Sequence, residues 1–201
     1  MRLVLLTLPV AVVAGLLLRG RVGRLASLPV RAPLLALAGI ALQFVPARGT
    51  AGAVLLVASF VFLCAFAIRN IKLPGFPLIL LGLVLNLTVI AVNNGMPVTR
   101  HALVRSGQAS TLQALKADGG SKHHLATSQD ELMPLADVLA LPPPVSQAIS
   151  VGDIATHAGI VWLIVWGMLR VPAGSSATGE PPTEPDERPE PRLVGTGKTP
   201  G

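Results

Sequence analysis

Acidic residues are missing from the first 117 positions of this chain, where eleven Lys and Arg stand without one Asp or Glu. Aromatics are scarce, with two Trp, five Phe and no Tyr in 201 residues. A basic block without acids invites a nucleic-acid reading. Here the cations are dispersed between apolar runs and few side chains could stack on bases, so nucleic acid is set aside as a partner. Cys64 is the single cysteine. It excludes an intramolecular disulfide, so any long loop must hold its shape by packing and hydrogen bonds. Charged residues make up 13% of the chain, too few to wrap a water-soluble core of this length. No HExxH, paired CxxC, Gly-x-Ser-x-Gly elbow or phosphate-cradling glycine loop is present, so no cofactor is implied.

What is present is hydrocarbon. The chain is 51% hydrophobic with mean hydropathy +0.65, and it divides into five apolar runs, at about 3–18, 32–45, 51–68, 76–92 and 151–169. The expected fold is therefore all-α, an integral membrane bundle of about five transmembrane helices in the lipid bilayer. The first run is a retained helix and not a signal peptide, because its basic cluster Arg19, Arg21 and Arg24 follows the apolar stretch instead of preceding it. Runs two and three form a hairpin through Pro46 to Thr50. Small residues on both sides, among them Gly39, Gly52, Ala53 and Ser59, would let the helices approach closely. Asn86, in run four, is expected to hydrogen-bond a neighbouring helix, with a place on a solute path as the alternative. Trp162 and Trp166 read as interfacial anchors.

Basic residues near the span ends set the orientation. Arg19, Arg21, Arg24, Arg31, Arg69, Lys72 and Arg170 fall on one side, and Arg2, Arg48 and Arg100 on the other. The positive-inside rule then puts the C-terminus in the cytoplasm, and the N-terminus and the 93–150 loop outside. Residues 171–201, rich in Pro and Glu and poor in apolar side chains, read as a disordered cytoplasmic tail.

The loop at 93–150 far exceeds the roughly 15 residues beyond which structureless connections are uncommon, so it should carry structure. Asn93-Asn94-Gly95 reads as a turn stiffened by Pro97. Thr99 can cap a helix over 100–106, and Ser110 another through Ala117. Leu132, Leu135, Ala136 and Leu139 fall at helical spacing, which predicts a third helix, and Pro142-Pro143-Pro144 an extended return. Ser150 and Asp153 make a Ser-x-x-Asp helix entrance. His157, one turn later on the same face, forms with Asp153 either an interhelical contact or a proton-linked pair.

Three strings in this order, Asn94-Gly95-Met96-Pro97-Val98, then Lys122-His123-His124-Leu125 ahead of Leu135-Ala136-Asp137, then Ile149-Ser150-Val151-Gly152-Asp153 entering the last helix, resemble a family of small bacterial multi-pass membrane proteins catalogued as domain of unknown function 5317. The similarity covers roughly residues 1–170. Where the family usually has a glycine and a first proline around the aspartate, this chain has Ala136 and Ala140. The resemblance implies a bacterial inner-membrane location and marks Asn94, Gly95, Met96, Pro97, His123, Asp137 and Asp153, without assigning an activity; with His157, taken from its spacing to Asp153, they make a candidate cluster. Three functions are consistent with these residues. The first is a non-enzymatic envelope protein whose outer loop caps the bundle and contacts a membrane partner or a second copy. The second is a small-solute or proton-linked transporter using Asn86, Asp153 and His157. The third is a metal-dependent envelope enzyme drawing on His101, His123, His124, Asp130, Glu131, Asp137 and Asp153.

Overall fold

A computed structural model describes residues 2–47, 49–118 and 122–170. The tail expected to be disordered lies outside the described residues.

Five apolar helices carry the fold: α1 (Arg2–Leu17), α2 (Pro33–Phe44), α3 (Gly49–Arg69), α4 (Phe76–Asn93) and α7 (Val151–Leu169). Three of them, α3, α4 and α7, are long and apolar enough to cross a membrane. The other two are shorter. The 16 residues of α1 reach about 24 Å and the 12 of α2 about 18 Å at the usual helical rise, against a hydrocarbon core of about 30 Å. Both nevertheless expose large side chains such as Leu5, Val10 and Leu17 on α1, and Leu34, Leu37 and Phe44 on α2.

The packing order is α2, α3, α4, α7, α1, and small residues line each seam. Between α2 and α3, Ser59 Oγ donates to the Gly39 carbonyl at 2.7 Å and accepts from Gln43 Nε2 at 3.0 Å. Between α4 and α7 the glycines come in sevens: a Cβ on Gly82 would collide with the Gly152 carbonyl, and one on Gly75 with that of Gly159. A seven-residue repeat keeps one seam facing its partner along both helices. On α1, Thr7, Ala11 and Gly15 are buried at four-residue steps, with Gly15 against Met168.

At one end of this array Asn70, buried at the close of α3, accepts from Arg31 N at 2.7 Å and donates back to the Arg31 carbonyl at 2.9 Å. Arg24 donates to the carbonyls of Met168 and Leu169, neutralising part of the negative end of α7. Arg170 donates to the Ser27 carbonyl.

At the other end, residues 94–150 fold over the helices. They contain α5 (Arg100–Arg105), capped by Thr99 as expected, and α6 (Ala109–Asp118), which begins one residue before Ser110, so that Ser110 lies within the helix instead of capping it. They also contain strands, which the all-α expectation lacks. β1 (Met96–Val98) pairs in parallel with β2 (His123–Leu125), and a bridge joins Val98 to Asp137 on its other side. Pro97 suits this place because its residue faces away from β2, where its carbonyl accepts from Asp137 N at 3.1 Å and no strand donor is required. The helix expected over 132–139 does not form. Its apolar residues fold instead as a 3-10 turn (Met133–Leu135), then β3 (Leu139–Leu141), which pairs antiparallel with β4 (Gln147–Ile149). Leu132 lies in the left-handed region, φ 54°, and the interval between Pro134 and Pro142 is too short to hold a helix that must also present Asp137 to β1. Nor do the three prolines run on as an extended return; residues 143–145 turn the chain between β3 and β4.

The glycine seam is directly testable. Gly82→Ala or Gly152→Ala should lower the thermal midpoint of the detergent-purified protein by several degrees, since an added methyl in a closed contact costs about 1–3 kcal/mol. Gly23→Ala, which meets open space, should leave it unchanged. Circular dichroism melts decide; equal midpoints for all three variants would contradict the seam.

Candidate functional site

The helices and the fold above them enclose a cavity of about 690 Å³. All five apolar helices reach it: Leu3 and Val4 from α1, Gln43 from α2, Phe60 from α3, Asn86 from α4, and Asp153 and His157 from α7. The loop contributes Met96, Lys122, His123 and Asp137. Of the cluster marked in the sequence, Met96, His123, Asp137, Asp153 and His157 therefore converge, with Asn86 beside them. Asn94, Gly95 and Pro97 do not line it. Asn94 is exposed in a left-handed turn, φ 52°, and Gly95 holds φ 145° where a side chain would press on the Lys122 carbonyl. These two residues end α4 and start β1, as a turn should.

Two hydrogen-bonded groups frame the helical side of the cavity. Asn86 Nδ2 donates to Asp153 Oδ1 at 2.8 Å, and Ser150 Oγ donates to Asn86 Oδ1 at 2.8 Å. The same Ser150 oxygen accepts from Asp153 N at 2.9 Å, while Ser150 N donates to Asp153 Oδ2 at 3.1 Å. The capping box read in the sequence is thus present and extended to α4 through Asn86. On the α1 side, Thr7 Oγ donates its one proton to the Leu3 carbonyl at 2.9 Å and lies 3.0 Å from His157 Nδ1. Thr7 must then accept, so His157 carries its proton on Nδ1 and its Nε2 is left as an acceptor when the ring is neutral.

The loop side holds a looser pair. His123 Nε2 stands 3.9 Å from Asp137 Oδ2, beyond hydrogen-bond reach. The Asp137 side chain is 8% exposed, and its Oδ1 has no partner among the described residues. Burial, reinforced by the negative charge of Asp153, pushes the Asp137 carboxyl up from 3.8 to about 8. The His123 ring keeps 52% of its surface free because it stands in the open volume of the cavity, yet protein surrounds it. That enclosure holds its pKa below the usual imidazole value even though Asp153 pulls the other way. At neutral pH the pair is a carboxylic acid beside a neutral imidazole, not an ion pair.

Lys122 was not singled out by sequence reasoning. Its Nζ donates to the Leu42 carbonyl at 3.2 Å and to that of Gln43, closing the last turn of α2 and fastening the loop to the helices; burial lowers its pKa. Gln147 also went unmarked; its Oε1 accepts from Leu3 N at 3.0 Å. No spacing rule could have flagged either residue, since their partners lie 80 and 144 positions away.

The remaining loop groups do not join the site. His124 turns outward to Asp130, Nε2 to Oδ1 2.8 Å. Burial of the Asp130 carboxyl is outweighed by hydrogen bonds from Thr127 and His124, which lower its pKa. His101 and Glu131 are exposed. Among the described residues no three His, Cys, Asp or Glu gather as a metal site would require, which removes the geometric basis of the metal-enzyme reading.

Comparison with known proteins agrees with the motif order. A family model described as "Family of unknown function (DUF5317)" matches residues 27–165, and the chain belongs to that family. The match begins after α1, so it is shorter at the N-terminal end than the similarity over residues 1–170 expected from the motifs. An uncharacterized protein of Thermotoga maritima is 36% identical over 110 residues, 53% of this chain and 60% of that protein. The chain thus spans under two thirds of the relative's length. No solved structure matches.

Asp137 gives a pH signature. Because the fold raises its pKa, it contributes stability that is full below the unfolded value near 4 and is lost as pH rises toward about 8. His123, held low, acts with the opposite sign, gaining as pH rises toward 6.5. Asp137→Asn mimics the neutral acid. Its midpoint should match the parent near pH 5 and exceed it by at least about 3 °C at pH 8.5. A loss of equal size at both pH values would mean that Asp137 is already ionised at pH 5.

Proposed function

We propose that this protein is a five-pass inner-membrane protein whose 93–150 loop stands on the outer face and roofs a binding cavity for a small solute, without catalysing a reaction. The observation that carries this reading is the convergence of Asn86, His123, Asp137, Asp153 and His157 on one cavity, with an unpartnered carboxyl oxygen at Asp137. A volume of about 690 Å³ lies in the range that small molecules occupy, and a mostly apolar wall with a few polar groups is what such sites use. Among the described residues no group of three His, Cys, Asp or Glu stands together as a metal set.

Five crossings are supported by the lipid-like exposed faces of α1 and α2, whose shortness local bilayer thinning would accommodate. The orientation is supported by the position of Arg24, Arg31 and Arg170, which meet at the end opposite the loop. Transport of the solute is a second reading. It is favoured by the polar groups on α4 and α7, which stand on the helices beneath the loop and not in it. A bundle of five helices would then need a second copy to form a path.

Two measurements test the proposal. A cysteine placed at exposed His101, in intact cells, should react with a membrane-impermeant maleimide; protection there together with labelling in inverted vesicles would reverse the orientation. A mixed panel of small amines, acids and alcohols should include compounds that raise the thermal midpoint of the purified protein. Thr111→Trp, at an exposed position on the cavity rim, should abolish those shifts. Flux in liposomes separates transport from binding alone.

A further inference from the structure

From the arrangement of acceptors around the cavity we infer that its ligand is a primary or secondary organic ammonium, taken up in exchange for the proton on Asp137. This inference rests on the proposed solute cavity and names the class of solute.

The carboxyl oxygens of Asp137 are the charged-type acceptors left available at the loop end of the cavity. Asp137 Oδ1 lacks a partner and its side chain is more than nine-tenths buried. Asp137 Oδ2 has only His123 at 3.9 Å. His157 has spent its donor on Thr7, which leaves Nε2 as an acceptor. Asn86 donates to Asp153 and accepts from Ser150. An ammonium carries two or three N–H donors and a positive charge, and so matches what the wall leaves unsatisfied. An anion would meet the carboxyls of Asp137 and Asp153, and Lys122, the one Lys or Arg among the described lining residues, is committed to the end of α2.

Among the described residues, the titratable groups that line the cavity with Asp137 fit this assignment. From the β2 segment come His123 and Lys122, and from α7 come Asp153 and His157; the lining residues of α3 and α4 carry no charge. Asp153 is the charge that acts on Asp137, and it is negative. The exchange conserves charge: the Asp137 O–H bond breaks, the proton leaves through the neutral His123 ring or water to the bulk, and the ammonium takes its place against the carboxylate. An uncompensated charge at that depth is costly, so either the proton or the cation must be present. The remaining walls, Leu3, Val4, Leu56, Phe60 and Ile90, suit a hydrocarbon body and favour an organic over an inorganic cation.

The test uses the full chain in lipid nanodiscs and three probes of one shape and different charge: 3-phenylpropylamine, 3-phenylpropanol and 3-phenylpropionate. Calorimetry in buffers of different ionisation enthalpy reads both affinity and proton release. The amine should bind best, release about one proton per site near pH 6.5, and gain about tenfold in affinity per pH unit up to about pH 8. Asp137→Asn should end proton release and weaken binding at least about tenfold, and its unliganded melting curve at pH 5 reports that it folds. Amine binding without proton release, or unchanged by Asp137→Asn, overturns the exchange. Preference for the alcohol or the acid overturns the cation while leaving the cavity as a binding site. Binding of none of the three, with no shift from the wider panel, removes the cavity reading and this inference with it.

Discussion

The contact on which the rest depends is the close approach of α4 and α7 at Gly82 and Gly152. In a medium that offers no water, helices gain little from hiding apolar surface and associate through close packing and internal hydrogen bonds. Glycine at both positions lets the backbones touch, and the space saved admits Asn86 beside the entrance of α7. Asn86, Ser150 and Asp153 then satisfy one another and the first backbone donors of α7. Since α4 ends where the loop begins and α7 starts where it ends, this one junction also fixes both ends of a loop of more than fifty residues.

A loop held at its ends still has to be held in the middle, and without disulfides it is tied by polar contacts to three helices. Asn93 exchanges two hydrogen bonds with the Glu131 backbone, Lys122 closes α2, and Gln147 holds the start of α1. The ties made by Lys122 and Gln147 lie on the cavity wall, so these two groups fold the loop and also line the site. Asp137 is the exception. Its backbone bridges β1, its side chain is buried, and one oxygen is left without a partner. A buried polar atom of that kind is a cost that folding alone does not explain.

Much of this was legible in the sequence. Hydrophobic runs located all five helices, because each is apolar over nearly its whole length and so stands out as an unbroken stretch. Caps were legible where the chemistry is local: Thr99, Ser150 with Asp153, and the turn at Asn94 and Gly95 all behave as their residue types require. The segment at 132–139 was misread because its i, i+3, i+4, i+7 pattern is also compatible with a short run that buries Ala136 under α4 and sends Leu139 into a strand. Periodicity over eight residues cannot separate those outcomes, whereas the flanking Pro134 and Pro142 argue against a helix. The cavity was legible only as a list of suspects. His123 and His124 are adjacent and chemically identical, yet one faces the cavity and the other Asp130, because alternate residues of a strand point to opposite sides.

The family's departures in this chain can be judged from the same geometry. Ala136 is fully buried at φ −73°, an ordinary conformation for an alanine. A methyl there fills space against Val89 and Met96 and demands no glycine. Ala140 pairs with Ala148 in the β3–β4 hairpin, so proline is not needed to keep that segment extended. Between them Asp137 keeps its bridge to Val98 and its place on the cavity wall. The replacements therefore alter how the turn is packed and leave the carboxyl where it is. The helix α1 lies before the matched range. It reaches the cavity with Leu3 and Val4, while its Thr7 sets which nitrogen of His157 is free. A change of apolar side chain on α1 would reshape the space beside the polar groups without disturbing any of the hydrogen bonds that hold them.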